Sequence, residues 1–248
     1  MRGLAKTERT NGAMELLDVD KPEPGADEAL VEVSHAGLCG SDAGIYKFKS
    51  AFERMDLPTI IGHEYAGTIV ETGDNVSEYA VGDRIVERPI RGCGECYQCK
   101  IGEENVCQNA VITGVDHHGA YTQYVTVPER ALHPVPDDVS LRNAAVVEPT
   151  SIAARAVIEN SRVGAGDRVL VAGPGPIGQL TAQIARDQGG EVVVAASART
   201  PTTACHSPRS SASTRSTSKQ TTSRRSATNE RMASATTLSS IRRGTRRG

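Results

Sequence analysis

The chain has 248 residues, 38% of them hydrophobic, so it is long enough for one large domain or two ordinary ones with a buried core. The net charge of −2 hides a division: residues 1–197 contain 17 basic and 29 acidic side chains, whereas residues 198–248 contain 11 basic and one acidic. An acidic body argues against nucleic acid as its partner. No apolar run of about 18 residues and no signal peptide is visible, so we expect a cytoplasmic protein with no membrane partner.

The distribution of short apolar runs predicts two different domains. Residues 28–133 are β-rich runs divided by Gly, Pro and Asp, which is typical of a β-barrel or sandwich. From residue 140 the pattern becomes helical, and residues 167–195 follow the order strand, Gly-rich turn, amphipathic helix, strand. We therefore predict a β domain over residues 1–147, the first half of a dinucleotide-binding domain over 148–197, and a disordered Ser/Thr/Arg-rich tail over 198–248.

Two Gly-bracketed turns carry residue types that bind zinc. Cys39 lies in GLCGSD, and His63 and Glu64 lie in GHEYAG. A thiolate, an imidazole and a carboxylate are three protein ligands, which leave the fourth tetrahedral position of a catalytic zinc ion open. We expect Asp42 to accept the other ring N–H of His63, and Ser41 to pass a proton between an alcohol and solvent. The alternative is a buried thiol, a hydrogen-bonded core histidine and a solvated carboxylate.

A four-cysteine loop follows these turns. Cys93, Cys96, Cys99 and Cys107 have the spacing C-x2-C-x2-C-x7-C in a polar, Gly-rich segment. Four thiolates around one tetrahedral ion are the ligands of a structural zinc ion and leave no position for a substrate. An iron–sulfur cluster also uses four thiolates, but at other usual spacings. Four unliganded core cysteines are the remaining alternative.

The second domain contains a candidate nucleotide-binding turn. The sequence GPGPIG follows an apolar strand and begins a helix, which is the context that gives a G-x-G-x-x-G match its meaning. Such glycines permit a tight turn and a close approach of the backbone to a pyrophosphate. The alternative is an ordinary βα turn, and the acidic residue that would bind a ribose is missing after the second strand. The predicted cofactor-binding residues are Gly173, Gly175, Pro176, Ile177 and Gly178.

Five motifs in order, namely GLCGSD, GHEYAG, the four-cysteine loop, VVEPTSIAARAV and VAGPGPIG, resemble the zinc-dependent medium-chain dehydrogenase/reductase family. Within it, residues 12–197 are most similar to the polyol (sorbitol-type) and threonine dehydrogenases. The resemblance implies an α/β plus β fold: a GroES-like β-barrel catalytic domain followed by a truncated Rossmann domain with a doubly wound parallel sheet. It also implies oxidation of a secondary alcohol, which is a polyol, sugar or amino alcohol, by hydride transfer to NAD or NADP. A homo-oligomer of two or four subunits is expected.

The resemblance also implies roles for individual residues. Cys39, His63 and Glu64 would hold the catalytic zinc, and Glu148 in VVEPTS would reach that zinc directly or through water. Glu64 occupies the place of the second cysteine of alcohol dehydrogenase, which favours the polyol-like branch. Gly44 departs from the pattern, because relatives often have a histidine of the proton relay there.

The tail changes character abruptly. Residues 198–248 contain 22 Ser and Thr, and read literally they form a disordered basic tail. A Rossmann domain needs two βαβαβ halves, of which only the first strand, helix and strand are present. Translated in a shifted frame, the tail permits an acidic start, a helix and a strand that resemble the missing family segments. We therefore interpret it as a frameshift and expect this chain to be inactive. The alternative hypothesis is a non-catalytic zinc protein whose basic tail contacts nucleic acid or another acidic partner.

Overall fold

The computed structural model describes residues 1–196 and the backbone of one further strand, Leu238–Ile241. The rest of the tail, with its predicted disorder and its frameshift interpretation, lies outside the described residues. The chain forms two compact units, Met1–Ile152 and Ala153–Gly248. The domain boundary that the sequence places between residues 147 and 148 stays a prediction.

The first unit is built from antiparallel strands. They are β1 (Arg2–Lys6), β2 (Met14–Asp18), β3 (Glu28–Ala36), β4 (Thr59–Ile60), β5 (Tyr65–Thr72), β6 (Arg84–Glu87), β7 (Ile90–Arg91), β8 (Val111–Ile112), β9 (Tyr124–Pro128) and β10 (Leu132–Pro134). A five-stranded sheet has the order β10-β6-β5-β3-β9, a three-stranded sheet has the order β2-β1-β4, and β7 pairs with β8. The sheets of this unit agree with the β-rich pattern of residues 28–133.

The largest sheet buries one face through alternation of its side chains. Val31 of β3 lies opposite Ile69 of β5 and Val125 of β9, so three strands bring aliphatic side chains to the same place. Ile85 of β6 and Val127 of β9 complete this core, which is closed to solvent. Burying each such side chain is worth about 1.5–3 kcal/mol. The sheet therefore forms a rigid base for the turns at its ends.

Short helices occupy the connections. They are α1 (Gly40–Tyr46), α2 (Tyr97–Lys100), α3 (Leu141–Ala144) and α4 (Val147–Ala154), and α4 continues into a π-helical turn, Arg155–Glu159. The Ser140 hydroxyl begins α3 by accepting the N–H of Asn143 at 3.2 Å, as an N-cap does. Among the described residues, no helix has the length and apolar character needed to span a lipid bilayer.

A buried ion pair joins β6 to β7. The Arg91 Nη1 lies 2.5 Å from Glu87 Oε1, and the two side chains are only 6% and 1% exposed. Glu87 also accepts hydrogen bonds from the hydroxyls of Tyr65 (2.8 Å) and Thr113 (2.6 Å). The carboxylate is thus satisfied by one cation and two hydroxyls, which is the condition under which a buried charge is tolerated.

The second unit contains a strand–helix–strand motif. β11 (Arg168–Ala172) and β12 (Glu191–Ala195) are parallel, and α5 (Pro176–Asp187) connects them. Val169, Val171, Ala182 and Ala185 form the buried core between sheet and helix. β13 (Leu238–Ile241) pairs antiparallel with the other edge of β11. The sheet is therefore mixed and not purely parallel. Its antiparallel strand comes from outside residues 148–197 and occupies the edge at which a doubly wound sheet would add another parallel strand.

Arg91→Met is expected to destabilise the first unit, because Glu87 would remain buried without its cation. We expect the free energy of unfolding, measured by urea denaturation, to fall by about 3–5 kcal/mol. The matched control is Arg54→Met, since Arg54 pairs with Asp116 at 2.9 Å but is 47% exposed. That exposed pair should contribute at most about 1 kcal/mol. Equal losses in the two variants would contradict a structural role for the buried pair.

Candidate functional site

Two turns of the first unit bring a thiol, an imidazole and a carboxylate together. Cys39 immediately precedes α1, and His63 and Glu64 lie between β4 and β5. Their ligand atoms all lie within 4.8 Å of one another. The backbone N–H of Gly37 donates to the carbonyl of Glu64 at 2.7 Å and ties the two turns together. A side chain at Gly37 would not fit, since its Cβ would lie 2.6 Å from the Glu64 carboxylate.

The three candidate ligands are buried or half-buried, as expected of a metal site, and one of their ligand atoms has no hydrogen-bond partner. Glu64 is 7% exposed, and Cys39 and His63 are half-buried. Burial is the main cause that raises the pKa of the Cys39 thiol. In the described part of the chain, the buried Nδ1 of His63 has no hydrogen-bond partner. Buried polar atoms are rarely left unpaired, so this cluster fits a cation held by three protein ligands.

Asp42 makes different contacts from those predicted. Its Oδ2 accepts the backbone N–H of Cys39 at 2.9 Å and the hydroxyl of Tyr121 at 2.6 Å. Its Oδ1, like His63 Nδ1, has no partner among the described residues. The predicted hydrogen bond between Asp42 and His63 is therefore not formed, because the carboxylate instead caps the first turn of α1. The Oγ of Ser41 lies 3.4 Å from His63 Nε2, and its predicted role in proton transfer stays a prediction.

Two further positions bear on the predicted proton chemistry. Glu148 lies in the first turn of α4, and burial raises its pKa, while His63 lowers it and Glu64 raises it. Burial is the main influence on this carboxyl group, and its predicted contact with the catalytic ion stays a prediction. Gly44 has no space for a histidine, since a Cβ there would lie 2.7 Å from the ring of Phe52. A relay through position 44 is thus excluded in this structure.

The four cysteines of the loop converge on one point. The four Sγ–Sγ separations recorded between Cys93, Cys96, Cys99 and Cys107 are 3.5–4.0 Å. Tetrahedral zinc with Zn–S bonds of about 2.3 Å would place sulfur atoms about 3.8 Å apart. Backbone N–H groups of Glu95 and Cys96 lower the pKa of Cys93 to about 6, whereas burial raises the pKa of Cys99 to about 12, so a metal site is indicated by the geometry of the four sulfur atoms. The cluster therefore fits a four-thiolate ion.

The second unit places Gly173 and Gly175 in the turn between β11 and α5, and the other predicted cofactor-binding residues, Pro176, Ile177 and Gly178, at the start of α5. Gly173 has φ +100°, and its N–H donates to the carbonyl of Ala195 at 2.8 Å. The backbone of Gly178 packs against Gly173 so closely that a Cβ would overlap the Gly173 carbonyl oxygen. α5 begins at Pro176 after Gly175, without a side-chain cap, so its first N–H groups remain available to an anion.

Sequence reasoning missed two residues at the metal turns. Tyr121 binds Asp42 through its hydroxyl, and Phe52 occupies the space beside Gly44. Tyr121 lies in AYTQYVTVP, which indicates only a strand, and Phe52 lies in a segment without a motif. No local pattern marks either residue, and Tyr121 acts on turns that are distant from it in the sequence.

Comparison with known proteins identifies relatives of both units. Residues 25–137 match the family described as the alcohol dehydrogenase GroES-like domain. The 2-dehydro-3-deoxy-L-galactonate 5-dehydrogenase of Pseudoalteromonas atlantica is 40% identical over 171 residues, which are 69% of this chain and 50% of that protein. The sorbitol dehydrogenase of Halalkalibacterium halodurans is 35% identical over 195 residues, which are 78% of this chain and 56% of that protein. The chain thus spans about half the length of the curated relatives it matches.

Solved structures share the fold. A cobalt- and zinc-bound thermostable alcohol dehydrogenase from Pyrobaculum aerophilum superposes with a TM-score of 0.71 at 28% identity, covering 78% of this chain and 59% of that chain. An NAD-dependent alcohol dehydrogenase superposes with a TM-score of 0.72 at 32% identity, covering 78% of this chain and 57% of that chain. These matches confirm the predicted fold class, a GroES-like domain followed by part of a Rossmann domain.

Gly178→Ala is expected to loosen the turn before α5, because the new methyl group overlaps the Gly173 carbonyl. Overpacking of this kind costs about 1–3 kcal/mol, which should appear as faster hydrogen exchange in β11 and α5. Gly175→Ala is the matched control, since Gly175 has φ −70° and no atom within 4 Å of an added Cβ. Equal exchange in the two variants would show that the close packing at Gly178 does not hold the turn.

Proposed function

Because the chain belongs to the zinc-type medium-chain dehydrogenase family, we propose that its first unit is the catalytic domain of an oxidoreductase that removes hydride from a secondary alcohol. The observation that carries this proposal is the convergence of Cys39, His63 and Glu64 within 4.8 Å. Glu148 would reach the same ion directly or through water. The separate four-thiol cluster supports a second ion with a structural role, because four thiolates leave no open position.

The substrate class follows from the relatives rather than from a pocket. Those named above are a sorbitol dehydrogenase and a dehydrogenase of a deoxygalactonate, and others are named L-threonine 3-dehydrogenases. Their names support a polyol, a sugar derivative or an amino alcohol as the small-molecule substrate. A homo-oligomer of two or four subunits and a cytoplasmic location stay predictions from the sequence.

The residues of the first unit have distinct proposed tasks. Zinc bound there would act as a Lewis acid toward the alcohol oxygen, and NAD or NADP would accept the hydride. Cys39, His63 and Glu64 would hold the ion and leave its fourth tetrahedral position to the substrate. The hydroxyl of Ser41, beside His63, is placed to take the alcohol proton and pass it to solvent. Residue 44 is glycine, which has no titratable side chain, so the proton would leave without a relay at that position.

The second unit supports binding of a dinucleotide only in part. Its described residues provide β11, the Gly173 turn, α5 and β12. In a Rossmann domain the pyrophosphate lies at such a turn and at the N-terminus of the helix that follows it. Orientation of the nicotinamide also needs strands from a second half of such a domain, and reaction requires that orientation. We therefore infer that this chain is inactive by itself and that a frame-restored chain is active.

The function is tested by assaying the chain and a frame-restored version, both loaded with zinc, against polyols, sugar acids and L-threonine with NAD and with NADP. We expect reduction of the nicotinamide only by the frame-restored chain. Absence of activity in that chain would contradict the proposed oxidoreductase. Activity in the present chain would contradict the inferred inactivity. The nucleotide sequence at codons 195–199 should show an open downstream frame that encodes the rest of a Rossmann domain.

Metal content separates the two proposed sites. Folded chain should contain about two zinc ions, because the two ligand sets share no residue. Cys39→Ser should remove one ion and leave the fold, whereas Cys96→Ser should remove the other ion and lower stability, since a structural zinc site contributes folding energy. Metal analysis and thermal denaturation measure both effects. Loss of the same single ion in both variants would contradict the two-site proposal.

A further inference from the structure

Tyr121 contacts both of the turns that carry the candidate ligands. From these contacts we infer that Tyr121 is a positioning residue, which holds the Cys39 turn and the His63 turn at the separation that a metal ion requires. The inference rests on the proposed function, since it concerns the same metal centre. The hydrogen bonds of the Tyr121 hydroxyl go to Asp42 and Gly37 and not to the three ligand side chains. Its effect on the ligands therefore passes through other residues.

The hydroxyl of Tyr121 acts on the Cys39 turn. The phenol oxygen lies 2.6 Å from Asp42 Oδ2 and 2.7 Å from the carbonyl oxygen of Gly37, and its proton can be donated to either acceptor. Asp42 is 6% exposed, and the same Oδ2 accepts the N–H of Cys39. The phenol therefore fixes the carboxylate that fixes the backbone of Cys39. Without the hydroxyl, a buried carboxylate would lose its one side-chain donor.

The ring of Tyr121 acts on the His63 turn. Gly62 immediately precedes His63 and has φ +101°, a conformation that favours glycine. A Cβ at Gly62 would lie 2.5 Å from the Tyr121 ring, so the ring packs directly on the backbone of this turn. The main chain of Tyr121 is fixed as well, because its N–H donates to Ile61 and its carbonyl accepts the N–H of Leu4, both at 2.9 Å.

Through these contacts Tyr121 links the Cys39 turn to the His63 turn, which are more than twenty residues apart in the sequence. Groups that orient metal ligands typically change metal affinity by about 10–100-fold when they are removed. Tyr121→Phe keeps the ring against Gly62 and removes only the hydroxyl, with its contacts to Asp42 and to the Gly37 carbonyl. We therefore expect an affinity loss in that range at the Cys39 site and no loss at the four-cysteine site.

The experiment loads the full chain with cobalt(II) and measures visible spectra during competition with a chelator. Cys39→Ser identifies the absorption bands and the release phase that belong to the Cys39 site. Tyr121→Phe is then compared with Tyr124→Phe, a matched control whose hydroxyl contacts the exposed Glu32 at 3.3 Å. We expect 10–100-fold weaker cobalt binding at the Cys39 site in Tyr121→Phe alone. Hydrogen exchange at the Cys39 amide should also be faster in that variant.

The outcomes distinguish the inference from the function on which it rests. If the unsubstituted chain binds no cobalt that Cys39→Ser removes, both the proposed function and the positioning role are overturned. If that cobalt is present but Tyr121→Phe binds it as tightly as Tyr124→Phe does, only the positioning role is overturned. Loss of cobalt from both sites in Tyr121→Phe would indicate general unfolding and would also overturn it.

Discussion

The first unit depends on holding a thiol, an imidazole and a carboxylate from two separate turns within 4.8 Å of one another. Such a cluster is unfavourable without an ion, because burial opposes ionisation of Cys39 and the unpaired Nδ1 of His63 lacks the hydrogen bond that water would give it. The fold must therefore supply the energy that keeps the turns together. One contact that joins the two turns directly is the backbone hydrogen bond from Gly37 to Glu64.

A series of contacts leads from the Glu64 turn toward the four-cysteine loop. Tyr65 follows Glu64 directly, and its hydroxyl binds Glu87, which pairs with Arg91. Arg91 in turn lies two residues before Cys93, the first thiol of the loop. The buried ion pair is thus placed between the two ligand sets and anchors the strands from which both extend.

Sequence patterns were sufficient to predict those sites whose residues lie within one segment of the chain. The spacing of the four cysteines and the glycines of the Gly173 turn lie within single segments, and the structure brings each set together as predicted. The partner of Asp42 could not be read in this way, because capping of α1 competes with His63 for the same carboxylate. Tyr121 was missed because its partners are distant in the sequence and only the tertiary fold brings them together. The edge strand β13 comes from a segment whose composition gives no strand signal.

X-ray absorption at the zinc edge of the unsubstituted, zinc-loaded chain tests the account most directly. Two distinct sites predict a mixture of sulfur ligands at about 2.3 Å and lighter nitrogen and oxygen ligands at about 2.0–2.2 Å. The light ligands would come from His63, Glu64 and the open position, and the Cys39→Ser chain should retain only the four sulfur ligands. A spectrum with sulfur ligands alone in the unsubstituted chain would contradict the account, because the three convergent residues would then hold no ion.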